Sequence, residues 1–533
     1  MEKIFWRIFA KRSLICFFII LFLLFTCILR VTVLTTTTNY SEVQAEFGSI
    51  KLEIQNQRGT IFDCNGYPLT NNKKKIIACV SPTPRAITAI SSILKGEELK
   101  RLLEELKSGK PSICEVDEII NCEGILCTEI YTDEAKIPAI HTIGYTDNQN
   151  NGISGLQKAY NDILKNDKPL TVRYACDGKG RILPGIAPQI ENKVSPLSFG
   201  VMTTIDINVQ NIIEGYNEVL GKGSIIVADV KTSKLRGIIS FPTFTTDNIS
   251  NILNDPASPL FNRTLGAYNV GSAFKLCVAA TGIENGYEGF KYNCKGKCKI
   301  IDRVFKCHQI TGHGLTDLNH AVANSCNTYF YNAGIKIGAQ KILDMASNLN
   351  FGKSIRLCDG ITTAKGTLPN SEKLENLAHL ANFSIGQGDF TATPVSLLPL
   401  YCAIANDGKY YMPSIVEGFI QNGKQQKYDY GSPTRVFSTD TANKLKTALS
   451  LVISEGTGTQ AKPKTVTAAG KTATAQTGKF KKGKEIKSSW FCGFFPIVNP
   501  QYAVIVFCED SDLQTKSSAE IFAEIADKIN ALE

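Results

Sequence analysis

The sequence predicts an α+β protein in which a long extracytoplasmic body follows a single N-terminal membrane helix. Three observations support this fold class. An apolar run occupies residues 13–34, and two buried-type strands are predicted at 224–230 (SIIVADV) and 235–241 (LRGIISF). After a long helix-rich stretch come three further strand candidates and a helical pattern. The two groups of strands predict one five-stranded antiparallel sheet flanked by helices, with strands from both ends of the domain.

Composition limits the possible functions before any motif is considered. The chain has 533 residues, of which 43% are hydrophobic and 20% charged, as expected for an ordinary globular protein with several domains. The net charge of +9 is modest and no long basic tract is present, which argues against nucleic-acid binding. The 17 cysteines are scattered and define no small disulfide framework.

The N-terminus predicts the location of the protein. The run from Ser13 to Leu34 has Arg30 as its only charge and is long enough to span a membrane. Four basic residues and one acid precede it, so residues 1–12 should lie in the cytoplasm and everything after Leu34 outside. A cleaved signal peptide is the alternative, but no small-x-small cleavage site follows the run. We therefore expect an uncleaved, single-pass anchor in the cell membrane.

The rest of the chain changes in texture near residue 200. Residues 35–200 are polar and irregular, with short strand-like runs at 50–54 and 76–80 and no long amphipathic helix, which predicts a mostly β support module. Residues 201–533 contain the predicted sheet. Its later strands are expected at 467–476, 488–495 and 502–508, before a helix at 519–532.

A Ser-x-x-Lys motif is the first candidate for chemistry. Ser272 and Lys275 lie in GSAFK at the start of an apolar helix, one turn apart on the same side. A lysine desolvated by apolar neighbours can act as a base that activates a serine, and helix N-terminal amides can stabilise an oxyanion. Alone the motif is weak, because serine is a common helix N-cap.

Two further motifs make the interpretation specific. Ser325-Cys326-Asn327 supplies a hydroxyl and an amide on a loop after a helical pattern. Lys471-Thr472-Ala473-Thr474 lies on a predicted strand, whose alternation sends Lys471 and Ala473 to one face and Thr472 and Thr474 to the other. Ser-x-x-Lys, Ser-x-Asn and Lys-Thr-small in this order are the motif set of penicillin-binding proteins and serine β-lactamases.

The chain therefore resembles a class B penicillin-binding protein, a monofunctional peptidoglycan D,D-transpeptidase. The resemblance covers almost the whole sequence and implies the transpeptidase fold of penicillin-binding proteins and serine β-lactamases at 201–533, with a dimerisation-like pedestal at 35–200. Other segments at family-like positions are 58–63 (RGTIFD), 152–157 (GISGLQ), 204–206 (TID), 241–244 (FPTF), 384–388 (SIGQG) and 490–494 (WFCGF).

The resemblance assigns the catalytic roles. Ser272 would attack the penultimate D-Ala carbonyl of a stem pentapeptide, release the terminal D-Ala and form an acyl-enzyme. Lys275 would be the base for this step. Ser325 would relay a proton to the leaving group, and Asn327 would hold Lys275 and the substrate amide.

The same resemblance assigns the binding roles. The backbone amides of Ser272 and Thr474 would form the oxyanion hole, and Lys471, Thr472 and Thr474 would receive the substrate carboxylate. An amine of a neighbouring stem peptide would then accept the acyl group, and β-lactams would acylate the same serine. No cofactor and no metal are expected. The implied partners are stem peptides, lipid-linked glycan strands and a polytopic membrane glycan polymerase.

Two alternative functions remain. The protein could be a catalytically weak scaffold that recruits the polymerase, or a D,D-carboxypeptidase or β-lactamase-like acyl-serine enzyme. D,D-carboxypeptidases and β-lactamases share the three motifs but usually lack a long pedestal, so residues 35–200 argue against this second alternative.

Two local features depart from a simple family pattern. Ala473 stands where the family usually has glycine. Two interpretations are open: the added methyl group shifts the strand or narrows the site, or the exchange of one small residue for another is tolerated. Separately, Cys294, Cys298, Cys307, His308 and His313 fall within twenty residues. Their spacing is not a standard zinc pattern, so a Cys294–Cys307 disulfide or free thiols are favoured over a metal.

Overall fold

The computed structural model describes residues 2–37, 48–481 and 483–532. By internal contacts the chain divides into two compact units. The first comprises Met1–Asn56, Lys74–Ile130 and Lys168–Val194, and the second comprises Gln57–Lys73, Tyr131–Asp167 and Ser195–Glu533.

Helices and strands follow one another along the chain in groups of one to four. The helices are α1 Glu2–Thr37, α2 Pro84–Ile93, α3 Gly96–Leu106, α4 Ile140–Ile143, α5 Gly155–Ala159, α6 Asn161–Leu164, α7 Ile207–Glu214, α8 Asn217–Leu220, α9 Ile249–Ile252, α10 Lys275–Glu284, α11 Leu318–Ala323, α12 Asn327–Ile337, α13 Ala339–Asn348, α14 Ser371–Leu374, α15 Leu377–Ser384, α16 Leu398–Ala405, α17 Thr439–Ser454 and α18 Ser518–Asn530.

The strands are mostly short outside the central sheet. They are β1 Ser49–Gln55, β2 Thr60–Phe62, β3 Lys73–Val80, β4 Ser112–Val116, β5 Ile125–Thr132, β6 Leu170–Ala175, β7 Gln189–Glu191, β8 Gly200–Thr203, β9 Gly223–Asp229, β10 Leu235–Phe241, β11 Tyr292–Cys294, β12 Lys297–Ile300, β13 Arg303–Lys306, β14 Gly314–Thr316, β15 Arg356–Cys358, β16 Ile361–Thr362, β17 Lys409–Tyr410, β18 Val416–Gln421, β19 Lys424–Lys427, β20 Thr434–Arg435, β21 Ala469–Lys481, β22 Lys484–Phe495 and β23 Tyr502–Cys508.

The N-terminal helix α1 contains an apolar stretch, Trp6–Val33, that is long enough to cross a membrane. The predicted anchor at 13–34 lies almost entirely within it. The most apolar window of this stretch is 0% buried inside the protein. This is the arrangement expected of a helix whose apolar surface is covered by lipid.

The first unit is built on two three-stranded sheets, ordered β1-β6-β7 and β4-β3-β5. The predicted strands at 50–54 and 76–80 are present as β1 and β3. The sequence analysis expected no long amphipathic helix here and missed α2 and α3, which have 10 and 11 residues. They are held by tertiary packing, since Ile90, Leu102 and Leu106 are buried in one cluster with residues of β3 and β4.

The second unit contains the predicted antiparallel sheet, in the order β10-β9-β23-β22-β21. Its strands match the five sequence candidates, although β21 and β22 extend further towards each other than predicted. The helix α18 packs Ile521, Phe522 and Ile525 into the cluster that also contains Phe491 and Val504 of the sheet. The edge strand β21 therefore borders the helical part of the unit, where the site lies.

The segment around Arg58 belongs to the second unit rather than to a separate N-terminal module. The Arg58 guanidinium is buried and donates hydrogen bonds to the side chain and the carbonyl of Gln157 at 2.6 and 2.8 Å, and to Asn161. The following strand β2 pairs in parallel with β8. Residues 57–73 and 131–167 thus belong to the same compact unit as residues 195–533. The division into a pedestal at 35–200 and a second domain at 201–533 stays a prediction.

Candidate active site

Ser272 lies in a 3₁₀ turn, Gly271–Phe274, that leads directly into α10. Gly271 has a φ of +54°, and a Cβ built on it would lie 2.7 Å from the carbonyl oxygen of Thr474. Glycine is required here because only a residue without a side chain lets this turn lie against β21. The turn therefore brings the half-buried Ser272 beside the edge strand, in agreement with its predicted position at a helix N-terminus.

Lys275 follows one turn later and is completely buried. Its Nζ donates hydrogen bonds to the Ser325 carbonyl and to Asn327 Oδ1, both at 2.7 Å, and lies 3.2 Å from Ser325 Oγ. Burial lowers the pKa of Lys275 to about 7, against an opposing effect of the Cys326 and Cys307 sulfurs. A neutral amine that donates twice keeps one lone pair, so it can accept a proton from a hydroxyl.

The loop Ser325-Cys326-Asn327 joins α11 to α12. Ser325 has a φ of +51°, a left-handed conformation that is costly for a serine. The Cys326 amide donates to the Ala321 carbonyl at 2.9 Å, and Asn327 begins α12. These contacts direct the Ser325 carbonyl and the Asn327 amide oxygen at the same amine.

The strand β21 has the predicted alternation. Lys471 and Ala473 are buried, whereas Thr472 is half-buried and Thr474 is exposed. The Lys471 Nζ donates to the Thr472 carbonyl at 2.9 Å. Burial lowers the pKa of Lys471 well below its ordinary value, and the nearby Lys275 amine lowers it further. Lys471 therefore lies behind the strand, while the two threonines are on its other face.

Thr457 is a site residue that the sequence interpretation missed. Its Oγ1 lies 2.7 Å from Thr472 Oγ1, so the two hydroxyls form one hydrogen-bonded pair. The sequence signal for Thr457 is Gly456-Thr457-Gly458, a turn-type tripeptide that precedes strand β21. It carried no distinguishing chemistry by itself.

A cavity of about 750 Å³ joins these elements. Ser272, Ser325, Asn327, Thr472 and Thr474 line it, and the two lysines of the motifs lie behind the wall. Further lining residues are Lys306, His308, Tyr331, Asn382, Gln387, Thr457, Gln460, Ala473, Gln476, Lys487 and Trp490. Among the described residues of the lining there is no Asp or Glu, but there are two lysines, Lys306 and Lys487. The cavity therefore suits an anionic ligand.

The methyl group of Ala473 lies mainly in the core and not in the groove. The residue lines the cavity, but its side chain is only 4% exposed and belongs to the main core cluster, opposite Trp490 across the ladder. It shares a face of β21 with Lys471 rather than with the threonines. This placement does not support the expectation that the methyl narrows the groove.

The cysteine-rich segment forms a compact cluster, but with a different membership from the sequence candidates. Cys294, Cys307 and His313 meet Cys326, the middle residue of the Ser-x-Asn motif, while Cys298 and His308 stay outside the set. The three cysteines are free thiols, so of the two expected states, a Cys294–Cys307 disulfide or free thiols, the structure has the second.

Comparison with known proteins agrees with this architecture. The family model described as "Penicillin binding protein transpeptidase domain" matches residues 223–528, more than half of the chain. Stage V sporulation protein D of Bacillus subtilis is 26% identical over 495 residues, covering 86% of this chain and 75% of that protein. The peptidoglycan D,D-transpeptidase FtsI of Buchnera aphidicola is 23% identical, covering 97% and 94%.

Solved structures show the same fold. Penicillin-binding protein PBP2 from Helicobacter pylori superposes with a TM-score of 0.67 at 20% identity, covering 91% of this chain and 99% of that one. Together with the ordered motifs and the cavity that they line, the family match shows that the chain belongs to the penicillin-binding protein transpeptidase family, as a class B penicillin-binding protein.

Proposed function

We propose that the protein is a peptidoglycan D,D-transpeptidase that cross-links stem peptides through an acyl-enzyme on Ser272. One observation carries this proposal above the others. The buried amine of Lys275 contacts both Ser325 and Asn327 and belongs to a helix that begins beside Ser272, at the wall of a single cavity. A buried amine with a lowered pKa, on the helix that Ser272 precedes, provides the base that a nucleophilic serine needs for acyl transfer.

The acylation step follows from these contacts. Lys275 takes the proton of the Ser272 hydroxyl as Oγ bonds to the penultimate D-Ala carbonyl carbon. The resulting oxyanion is stabilised by the backbone amides of Ser272 and Thr474, which the close approach at Gly271 brings together. The C–N bond then breaks, and the departing D-Ala amine takes its proton through Ser325. Asn327 keeps Lys275 in place throughout.

The second step regenerates the enzyme. The amine of a neighbouring stem peptide attacks the acyl carbonyl, the ester bond to Ser272 breaks, and Ser272 Oγ recovers a proton. A β-lactam carries a strained amide that Ser272 opens in the same way, but its leaving amine stays attached to the acyl group and blocks the acceptor. Penicillin binding is therefore a consequence of the same geometry.

The substrate carboxylate belongs beside β21. Thr472 and Thr474 present hydroxyls to the cavity, and Lys487 adds an exposed cation to its wall. Lys471 is buried behind the strand, where an arriving carboxylate would raise its pKa and draw it to the charged form. The absence of Asp and Glu from the described lining removes the main source of repulsion for this anion.

The same absence separates transpeptidation from hydrolysis. A class A β-lactamase activates water against the acyl-enzyme with a glutamate carboxylate. Among the described residues that line the cavity none is acidic, so the acyl-enzyme should wait for an amine. This favours the transpeptidase over the hydrolytic alternative, and the scaffold alternative is left to experiment.

The apolar N-terminal helix supports a location at a membrane. The basic residues Lys3, Arg7, Lys11 and Arg12, which precede the apolar run at 13–34, favour a cytoplasmic N-terminus, with the residues after Leu34 outside, where peptidoglycan is built. The expected partner is a polytopic membrane glycan polymerase that supplies lipid-linked strands. One structural neighbour is a complex between penicillin-binding protein PBP2 and MreC from Helicobacter pylori.

Replacement of the nucleophile tests the function. With pentapeptide-bearing glycan polymer, Ser272→Ala should abolish D-Ala release and cross-link formation, because no acyl bond can form, and Lys275→Ala should slow both by about 10²–10⁴-fold. Cross-links and D-Ala are measured by mass spectrometry. Ser450→Ala, a serine of α17 outside the cavity, is the control that keeps full activity. If the wild-type chain releases no D-Ala, the protein is a scaffold.

The protonation state of Lys275 predicts a pH profile. Because its pKa is lowered to about 7, the acylation rate should fall about tenfold per pH unit below that value and level off above it. The ionisable groups that interact with the amine are Lys471, Cys307, Cys326 and His313. Stopped-flow acylation by a penicillin, with circular dichroism at each pH, checks this. A flat profile from about pH 5.5 to 8.5 would contradict Lys275 as the base.

The core placement of Ala473 predicts a small effect of its replacement. Ala473→Gly should change acylation rates for bulky and compact β-lactams by less than about twofold and lower the free energy of unfolding by about 0.5–1 kcal/mol through backbone entropy. Both rates and the melting temperature are measured on the same preparations. A selective gain for the bulky compound would restore the steric interpretation.

The topology is tested on wall-free cells. Because the basic flank should stay inside, protease added to intact cells should digest residues beyond α1 and leave a small membrane-bound fragment. A cytoplasmic marker protein serves as the control for leakage. Survival of the body until the membrane is permeabilised would mean that the orientation is reversed.

A further inference from the structure

A cluster of sulfur and nitrogen atoms lies directly beneath the Ser325-Cys326-Asn327 loop. The ligand atoms of Cys294, Cys307, His313 and Cys326 all lie within 4.8 Å of one another. The three cysteines are 2%, 5% and 0% exposed, and His313 is half-buried. Four potential ligands from three separate segments therefore converge on one enclosed point.

The distances suit a shared ion better than pairwise hydrogen bonds. The Nδ1 atom of His313 lies 3.5 Å from Cys294 Sγ and 3.6 Å from Cys307 Sγ. One ring nitrogen cannot share a single proton equally between two sulfurs. Around a tetrahedral zinc ion, bonds of about 2.3 Å to sulfur and about 2.0–2.1 Å to nitrogen place S and N about 3.6 Å apart.

The backbone around the cluster is arranged to hold the ligands. In the pair β11–β14, Cys294 stands opposite Gly314, so it lies beside His313. The hairpin β12–β13 delivers Cys307, whose amide donates to the Gly296 carbonyl at 2.8 Å. A Cβ on Gly312 would lie 2.1 Å from the Cys294 carbonyl oxygen, so only glycine permits this close approach.

These ribbons pack only in part against the main core, through residues such as Tyr292, Ile300 and Phe305. They are two-stranded and short, and Val304 and Leu315 within them are 59% and 73% exposed. Isolated two-stranded ribbons are marginally stable in water, and small elements without a core are commonly stabilised by a metal. An ion at the cluster would tie both ribbons to the body of the unit.

We propose that Cys294, Cys307, His313 and Cys326 bind one zinc ion as a closed, structural Cys₃His site. Three thiolates and one imidazole are a ligand set that zinc prefers, and four protein ligands leave no open position for substrate or water. Binding deprotonates the three thiols, so three protons are released for each Zn²⁺ taken up, and no electron is transferred.

The site has a consequence for the cavity. Cys326 is bonded on either side to Ser325 and Asn327, the two residues that contact Lys275. A metal–sulfur bond at Cys326 would hold this loop, including the left-handed Ser325, in the position that directs both oxygens at the amine. Cys326 is thus a positioning residue. Zinc binding stands independently of the proposed function, whereas its effect on acylation rests on it.

The test uses the full chain in detergent, purified under reducing conditions without added metal. Elemental analysis should find about one zinc per chain. Replacement of zinc by Co²⁺ should give thiolate-to-cobalt charge-transfer absorption and the d–d bands of a tetrahedral site. Cys307→Ser and Cys326→Ser should lose both signals, while the matched neighbour Cys298→Ser, which lies in β12 outside the set, should keep both.

Activity is measured separately on the same preparations. Removal of zinc by a chelator should slow penicillin acylation at least tenfold, and one equivalent of Zn²⁺ should restore it. Ser272→Ala should keep its zinc and lose acylation, so failure of the proposed function and failure of the metal site give different results. The zinc content of the wild-type protein tests the zinc site even if a variant fails to fold.

Three results would overturn the proposal. One is reduced wild-type chain that contains no zinc and gives no cobalt spectrum. Another is a Cys298→Ser variant that loses metal as completely as Cys307→Ser. The third is a disulfide between two of the three cysteines, found by mass spectrometry in zinc-free, fully active protein. Unchanged acylation after complete removal of zinc would overturn the positioning role of Cys326.

Discussion

The structure depends above all on the burial of one amine. Lys275 begins the apolar helix α10, where a charged ammonium is unfavourable, and among the described residues its hydrogen-bond acceptors belong to Ser325 and Asn327. This constraint fixes the loop between α11 and α12, because any displacement would leave a buried polar group unsatisfied. It also sets the chemistry, since the desolvation that lowers the pKa of the amine makes it a base.

The sheet and the main motifs could be predicted because their signals are local. The strands β10 and β23 are continuous apolar runs, and their predicted bounds agree with the structure. The turn-and-helix position of Ser272 and Lys275 also follows from a short segment. The interleaving of the two units could not be predicted in this way, because it depends on long-range contacts such as that of Arg58 with Gln157.

The membership of the cysteine cluster also depends on long-range contacts that a local sequence pattern does not predict. Cys294, Cys307 and His313 are candidates from their proximity in sequence. The fourth member of the cluster, Cys326, is the variable position of Ser-x-Asn, which gives no sign of a ligand. Its sulfur becomes relevant only when the fold brings α12 beneath the ribbons. Similarly, burial of Ala473 depends on which face of β21 meets the core, and a comparison of motifs alone cannot give that face.

The central claim is that the buried amine activates Ser272 and no other hydroxyl in the cavity. Its most direct test is to acylate the wild-type chain with benzylpenicillin, digest it and locate the adduct by peptide mass spectrometry. We expect one penicilloyl group per chain, on the peptide that contains Ser272. An adduct on Ser325, on Thr457 or outside the cavity, or a folded chain that takes up no penicillin, would contradict the account.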